Sequence, residues 1–428
     1  MNALPLTAAE LAHRIARTEA RWADVPAAFR FARQTLGRTQ AVGCVALEIT
    51  QRCNLDCTLC YLSEHSESVP DLPLAELKRR VDQIREHFGA GTNVQVTGGD
   101  PTMRPADELV EIVRYIRSQK LSPALFTNGI KATRKLLTRL RDAGLADVAF
   151  HVDTTQERPG YATEADLNEV REEYLERARG LGLPVYFNTT VHEGNFHEVP
   201  DLARFFIGHA DVVGIASFQL QADTGRGLLH KRAQPIDLAT VSAQLDAGIG
   251  HRMNWDAVQM GHPECHRQAV TVVLAGQVVD LLDDPDLVAR AIPAFSHLPV
   301  DRVRPWRAIG TILGRAARHP ALWWPASRYL ARKIAQCAGP LVRSGFRPRK
   351  LMFFLQNFQD RDALDPERIA LCSFQVMTQH GPVSMCLHNA NRDDYILPEN
   401  QPGVYPAGTK SVRGTAPAAC GSCGGCGK

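Results

Sequence analysis

From about Val45 onward, short apolar runs alternate with amphipathic segments in a regular order. The runs Val45–Ile49, Val94–Thr97, Ala124–Thr127, Val148–Val152, Val185–Val191 and Val212–Leu220 have strand character, with β-branched and aromatic residues bounded by turn formers. Between them, Leu74–His87, Ala106–Ser118, Lys131–Ala143, Glu164–Gly180 and Pro200–His209 repeat apolar residues at helical spacing. Strand and helix alternating in this way build a parallel sheet with crossover helices. The predicted class is α/β, and both an open doubly wound sheet and a partial (β/α)6 barrel satisfy the pattern. In either, chemistry gathers beyond the C-terminal ends of the strands.

The repeat sets the expected divisions. Residues 1–40 form an N-terminal helical segment, reading as an amphipathic helix rather than a signal peptide. Residues 41–225 form the β/α core. Residues 226–350 break the repeat: AVTVVLAGQVVDLL predicts a hairpin around Ala275-Gly276, followed by a basic helical insertion. Residues 351–428 form a small cysteine-rich domain. Hydrophobic residues make up 44% of the 428, enough for a sizeable core. No apolar run reaches the length of a spanning helix.

Composition narrows the chemistry. The net charge of +3 gives no reason to expect nucleic acid as a partner. The eleven cysteines are clustered, which favours metal in a reducing compartment over a disulfide framework. Cys53, Cys57 and Cys60 form a C-x3-C-x2-C run directly after the first strand. Three thiolates can hold three irons of a four-iron cluster and leave the fourth open. Structural zinc prefers four ligands in spaced pairs, so a lone triplet suits it less well.

With this spacing the chain resembles the radical S-adenosylmethionine (radical SAM) family. The resemblance implies a partial TIM-like barrel, a [4Fe-4S] cluster whose open iron binds S-adenosylmethionine (SAM), and reductive SAM cleavage to a 5′-deoxyadenosyl radical. That radical abstracts hydrogen from an unactivated C–H bond. Gly98-Gly99-Asp100-Pro101, after the second strand, resembles the family's GGEP motif, with Asp in place of Glu. The resemblance implies that Asp100 meets the SAM ammonium group. Asn128, Asp153, Asn188, Thr190 and Gln219 stand at further strand ends and are expected around the SAM carboxylate and ribose. Taken singly, each is more often a turn or cap residue; as a set on one rim they favour the cofactor reading.

Further cysteines suggest a second centre. Cys372, Gly381 and Cys386 resemble the signature of auxiliary-cluster domains called SPASM or twitch, and Cys420, Cys423 and Cys426 follow in glycine-rich sequence. These five exceed one cluster's needs, so at least one auxiliary cluster is expected, with Cys265 a further candidate ligand. Cys44 and Cys337 are expected to be structural. GHPECH groups His262, Cys265 and His266 as a metal-like cluster whose alternative is plain loop surface. That segment, FQLQADTGRG and the tail C-L-H-N resemble a radical SAM subgroup that includes the archaeal tetraether lipid synthases.

Between Arg302 and Lys350 lie twelve Lys or Arg and no acid, with Trp306, Trp323 and Trp324 among apolar residues. Basic helices with apolar aromatic faces can lie in an anionic membrane interface. An anionic ligand site and an ordinary solvated face are the alternatives. The expected protein is therefore a cytoplasmic enzyme, peripheral at the inner face of the membrane if that stretch meets lipid. A lipid-like chain is the leading substrate and a peptide the alternative, with a flavodoxin or ferredoxin as electron donor. The roughly 50 residues ahead of Cys53 are too few for a cobalamin domain. From another class, a non-catalytic iron–sulfur or zinc protein stays open.

Overall fold

The computed structural model describes residues 6–230, 232–233, 236–298, 305–405 and 409, and of 305–309 the backbone alone. The strands are β1 (Cys44–Thr50), β2 (Asn93–Gly98), β3 (Ser122–Thr127), β4 (Asp147–His151), β5 (Val185–Val191), β6 (Val213–Leu220), β7 (His266–Leu274), β8 (Gln277–Asp280), β9 (Arg349–Asn357), β10 (Phe374–Thr378) and β11 (Gly381–Ser384). They form one open sheet in the order β11-β10-β1-β2-β3-β4-β5-β6-β9-β7-β8. Helices Leu74–Phe88, Ala106–Ser118, Arg134–Asp142, Asn168–Ala178 and Val199–Gly208 make the crossovers. All of β1 is buried, as expected of a strand covered on both faces of a parallel sheet.

The six expected strands and five helices are present, with shifts of a few residues at their ends. The largest shift is in the helix expected from Glu164, which starts at Asn168. Glu164 is fully buried and pairs with the equally buried Arg171. Its carboxylate also takes the Thr154 N–H at 2.9 Å and the Asn195 side chain at 2.8 Å. With the Thr154 hydroxyl at 3.0 Å, four acceptor bonds hold Glu164 in the preceding turns.

The structure redraws the expected boundary at 350. β10 pairs parallel to β1 and β9 pairs parallel to β6. Eight parallel strands, β10 through β9 in sheet order, thus make the central wall. The strands β9, β10 and β11 belong to the same sheet as the core. The Ala275-Gly276 hairpin is present, with φ of 50° and 80°. Two successive left-handed residues match the twist of a two-residue β-hairpin. The N-terminal helix Ala8–Asp24 begins with a Thr7–Glu10 capping box.

Candidate functional site

The C-terminal ends of β1 to β6 converge on one cavity of about 200 Å³. Cys53, Cys57 and Cys60, in the loop after β1, border it together with Gly98, Gly99, Asn128, Asn188, Thr190 and Gln219. The thiols are partly buried. Burial pushes the Cys53 and Cys57 thiols up, and neighbouring negative groups add to this. Metal binding would release their protons, because the thiolate is the ligand.

The Gly-Gly turn is fixed by how closely it packs against the stem of the cysteine loop. Gly98 has φ of 127°, and a Cβ there would lie 1.9 Å from the Thr50 carbonyl oxygen. A Cβ on Gly99 would lie 2.2 Å from that of Arg52. The Gly99 N–H donates to Thr50 O and the Asp100 N–H to Arg52 O, at 2.9 and 2.8 Å. The second-strand turn and the cysteine loop therefore form one unit. Tyr61 strengthens it, donating from its hydroxyl to Gly98 O at 2.7 Å.

Asp100 and Asp153 hold the rim together instead of lining the cavity. Asp100 is buried, and its Oδ1 accepts from the Thr102 N–H and hydroxyl at 2.9 and 2.5 Å. Its Oδ2 accepts from the Thr127 hydroxyl and the Asn128 N–H, both at 2.8 Å. The Oδ1 bonds close the β2 turn and the Oδ2 bonds tie it to the end of β3, so Asp100 braces the rim. Pro101 opens the short 3-10 turn that follows. Asp153 is likewise enclosed. It accepts from Thr155 and from the Thr190 N–H, and lies 2.6 Å from His151 Nε2. Burial would raise the Asp153 pKa, but His151 and these hydrogen bonds hold it well below the usual carboxylate range. Burial works against a charged His151, yet Asp153 outweighs it and raises the imidazole pKa. His151 itself borders the cavity.

The far wall comes from residues that local patterning did not single out. Gln356, Phe358, Phe374, Met385 and Asn389 meet Gln95 and Phe126 from the core. Behind the rim lies a buried polar network. Glu48 accepts from Arg392 at 2.5 Å, and Arg392 also reaches Gln51 and stacks over Tyr61 at 4.8 Å. Burial alone would raise the Glu48 pKa, but Arg392 and His388 lower it. Burial holds His388 down to about 4. No sequence signal tied Glu48 to Arg392, which lie at opposite ends of the chain.

The second thiol group is partly assembled. Cys372 is near enough to Cys265 and Cys386 that a charge on it would raise both. Burial, the larger cause, pushes Cys265 up to about 11. Cys386 accepts the Gln359 N–H at 3.5 Å and directly follows the cavity residue Met385. Cys420, Cys423 and Cys426 lie outside the described residues. The metal-like reading of GHPECH is not supported by the side chains. His262 packs 5.0 Å from Phe29, and His266 Nε2 is 2.6 Å from Met260 O. Among the described residues, no three His, Cys, Asp or Glu side chains converge on a single ion position. Cys53, Cys57 and Cys60 instead border a shared space, which suits a multi-atom cluster better than one zinc ion.

Residues 47–206 match the family model of the radical SAM superfamily. That stretch of the chain is a radical SAM domain. The family uses a [4Fe-4S] cluster and SAM. The chain is 29% identical over 186 residues to a 7,8-dihydro-6-hydroxymethylpterin dimethyltransferase of Methanocaldococcus jannaschii, covering 42% of this chain and 36% of that protein. It is 32% identical over 179 residues to a PqqA peptide cyclase of Bradyrhizobium diazoefficiens, covering 41% and 46%. The chain thus matches less than half the length of these two relatives. A solved structure, SuiB of Streptococcus suis bound to the precursor peptide SuiA, aligns at TM-score 0.38 with 15% identity, covering 49% of this chain and 45% of that one.

The donor set fits the family's cluster: three thiols on one loop, no carboxylate on the cavity lining among the described residues, and Asn128 Nδ2 reaching Cys53 Sγ at 3.8 Å.

Proposed function

We propose that this protein is a radical SAM enzyme that abstracts hydrogen from an uncharged, lipid-like substrate. The observation that carries the reading is the single cavity bordered by the three thiols, the Gly-Gly turn and the strand-end amides. Cys53, Cys57 and Cys60 would hold the cluster. Gly98, Gly99, Asn128, Asn188 and Gln219 would border SAM. When bound, the cluster supplies the electron that cleaves SAM to the 5′-deoxyadenosyl radical. A low-potential donor such as flavodoxin or ferredoxin would deliver it.

The cavity lining favours a neutral substrate. Among the described residues it includes no Asp, Glu, Lys or Arg. Phe126, Phe358, Phe374, Met385 and several leucines supply apolar surface beside side-chain amides. Burying an unpaired charge there would be costly. Apolar walls also exclude water, which protects a reactive carbon radical.

Peripheral membrane contact accompanies this reading. Helix Trp323–Arg343 packs its inner face through Tyr329 and Lys333, whose side chains bond Leu281 O and Asp280 O at 2.8 and 2.5 Å. Trp323, Trp324, Leu330, Ile334 and Val342 are exposed. Arg328 and Arg343 have no acidic partner among the described residues. The placement of apolar side chains outward and a lysine inward fits an interfacial helix.

A peptide substrate is the second reading. It rests on the peptide-cyclase relative and on Gln95, Asn188, Gln219, Gln356 and Asn389, whose amides can pair with peptide groups. Cys372 and Cys386, with Cys265 and the three terminal cysteines, would hold an auxiliary cluster.

Anaerobic reconstitution with SAM and dithionite tests the core reading through 5′-deoxyadenosine formation. Lipid and peptide fractions of cell extract, followed by mass spectrometry, separate the substrates. A colourless zinc-loaded protein that leaves SAM intact would overturn the enzyme reading.

A further inference from the structure

The segment after β6, Thr224-Gly225-Arg226-Gly227, is locked onto the cysteine loop. The Arg226 N–H donates to Leu62 O at 3.0 Å and the Gly227 N–H to Cys60 O at 3.2 Å. Gly225 has φ of 54°, and a Cβ there would lie 2.4 Å from the Tyr61 carbonyl carbon and oxygen. Neither loop can move without the other.

The Arg226 guanidinium lies in this joint, with its side chain 18% exposed. Nη1 donates to Asp56, which is largely solvent-exposed. Nε and Nη2 are buried and have no hydrogen-bond partner. Buried donors of this kind carry a desolvation cost unless something accepts from them. The neighbouring acceptors are sulfurs: Cys60 acts on this guanidinium by charge and by hydrogen bonding, and Cys57 by charge. Asp100 adds negative charge near Cys53, and Asp153 adds it near Cys57. Arg226 is the cation opposing them.

We propose that Arg226 is a positioning residue for the cluster, directing its buried Nε and Nη2 donors and its charge at the Cys57–Cys60 side and so raising the reduction potential. The proposal rests on the radical SAM reading. Taking up one electron from an external donor adds one negative charge to a group already negative from its thiolates. A fixed cation and N–H donors beside the sulfurs favour the reduced form, and both are established controls of such potentials.

The test is an anaerobic redox titration of reconstituted protein, followed by electron paramagnetic resonance, with iron content measured on the same samples. Dithionite supplies the electron. Arg226→Gln removes the charge and should make reduction about tenfold less favourable, a shift of about 59 mV to more negative potential for a one-electron couple. Arg226→Lys keeps a charge and should recover most of that shift. Asp56→Asn breaks the surface pair while leaving the guanidinium in place, and should not lower the potential. A purely structural Arg226 would make Asp56→Asn and Arg226→Gln behave alike. That result, or a wild-type midpoint in iron-replete Arg226→Gln, would overturn the proposal. If Arg226→Gln does not fold, the comparison of Arg226→Lys with Asp56→Asn decides: a potential lowered in Asp56→Asn but not in Arg226→Lys overturns it. Wild-type protein that forms no four-iron signal would refute the radical SAM reading instead, before any variant is compared.

Discussion

The rim of the sheet and the outer helix Trp323–Arg343 handle polarity in opposite ways. At the rim, carboxylates turn inward to brace the scaffold, and among the described residues the cavity lining has no Asp, Glu, Lys or Arg. Asp100, Asp153 and Glu48 each have most of their hydrogen-bonding capacity taken up by protein partners. On the helix, Lys333 is buried against Asp283 while Trp323 and Trp324 face outward, 57% and 73% exposed. The contrast shows that a residue's type does not reveal its task until its partners are known. An acid beside a binding site can be entirely structural, and a tryptophan on a basic helix can be the part that is free to bind.

The largest effect should come from removing the reason the rim exists. Replacing Cys53, Cys57 and Cys60 together with Ala should remove about four irons per chain and abolish 5′-deoxyadenosine formation. Iron analysis and chromatography read both. Unchanged SAM cleavage in that variant would end the radical SAM assignment.

A sharper probe of the inward-turned charges is Asp100→Asn. The amide nitrogen cannot accept, so two of the four bonds are lost. At roughly 1.5 kcal/mol or more for each bond to a charged acceptor, folding should weaken by about 3 kcal/mol. Urea unfolding measures this. A variant as stable as wild type, with SAM affinity alone reduced, would return Asp100 to the ligand-binding role expected from its motif.

The helix side of the comparison is tested on vesicles. Trp323→Ala/Trp324→Ala should lower the salt-resistant part of binding to anionic vesicles. Arg328→Gln/Arg343→Gln should lower the part that fades as salt shortens the Debye length below about 8 Å. Arg332 and Lys333 are poor choices, because both already pair with Asp283. Sedimentation showing no binding at low salt would remove the membrane reading and leave the peptide substrate as the better alternative.

The smallest effect concerns His151 and Asp153. His151 is raised above its ordinary 6.5 in the folded chain, so its contribution is full below about 6.5 and fades as pH rises through the raised value. Asp153 is lowered from its ordinary 3.8, so its contribution is present above that pH and fades as the medium becomes more acidic. The stability gap between wild type and His151→Gln should therefore be widest between about pH 4 and 6.5. A gap that grows above pH 7 would contradict the pairing.

The parts legible in the sequence were those written locally. Periodicity marked the six core strands, and spacing marked Cys53, Cys57 and Cys60, because each signal lies within one short stretch. The turn at Ala275-Gly276 was legible for the same reason. Illegible were the pairings between distant segments. Nothing near Phe374 announces that β10 will flank β1, and nothing near Arg392 points to Glu48. The motif at Asp100 specifies residue types, and could not show that Thr127 and Asn128, a β/α unit later, bond its carboxylate. Glu164 shifted a helix start because a partner elsewhere in the fold, Asn195, shares the hydrogen bonding that holds it in the turn.

The pairing of β1 with β10 sets an order of events during synthesis. Cys44 stands opposite Phe374 in the finished sheet, so the strand bearing the cysteine loop leaves the ribosome long before its outer neighbour. Domains fold as their segments emerge, and until β10 arrives β1 has an unpaired edge. Arg392, which stacks on Tyr61, arrives later still. For that interval the cysteine loop lacks its back wall, and the nascent chain is open where iron and sulfide would enter. Segments made well after the core strands are the ones that close the site.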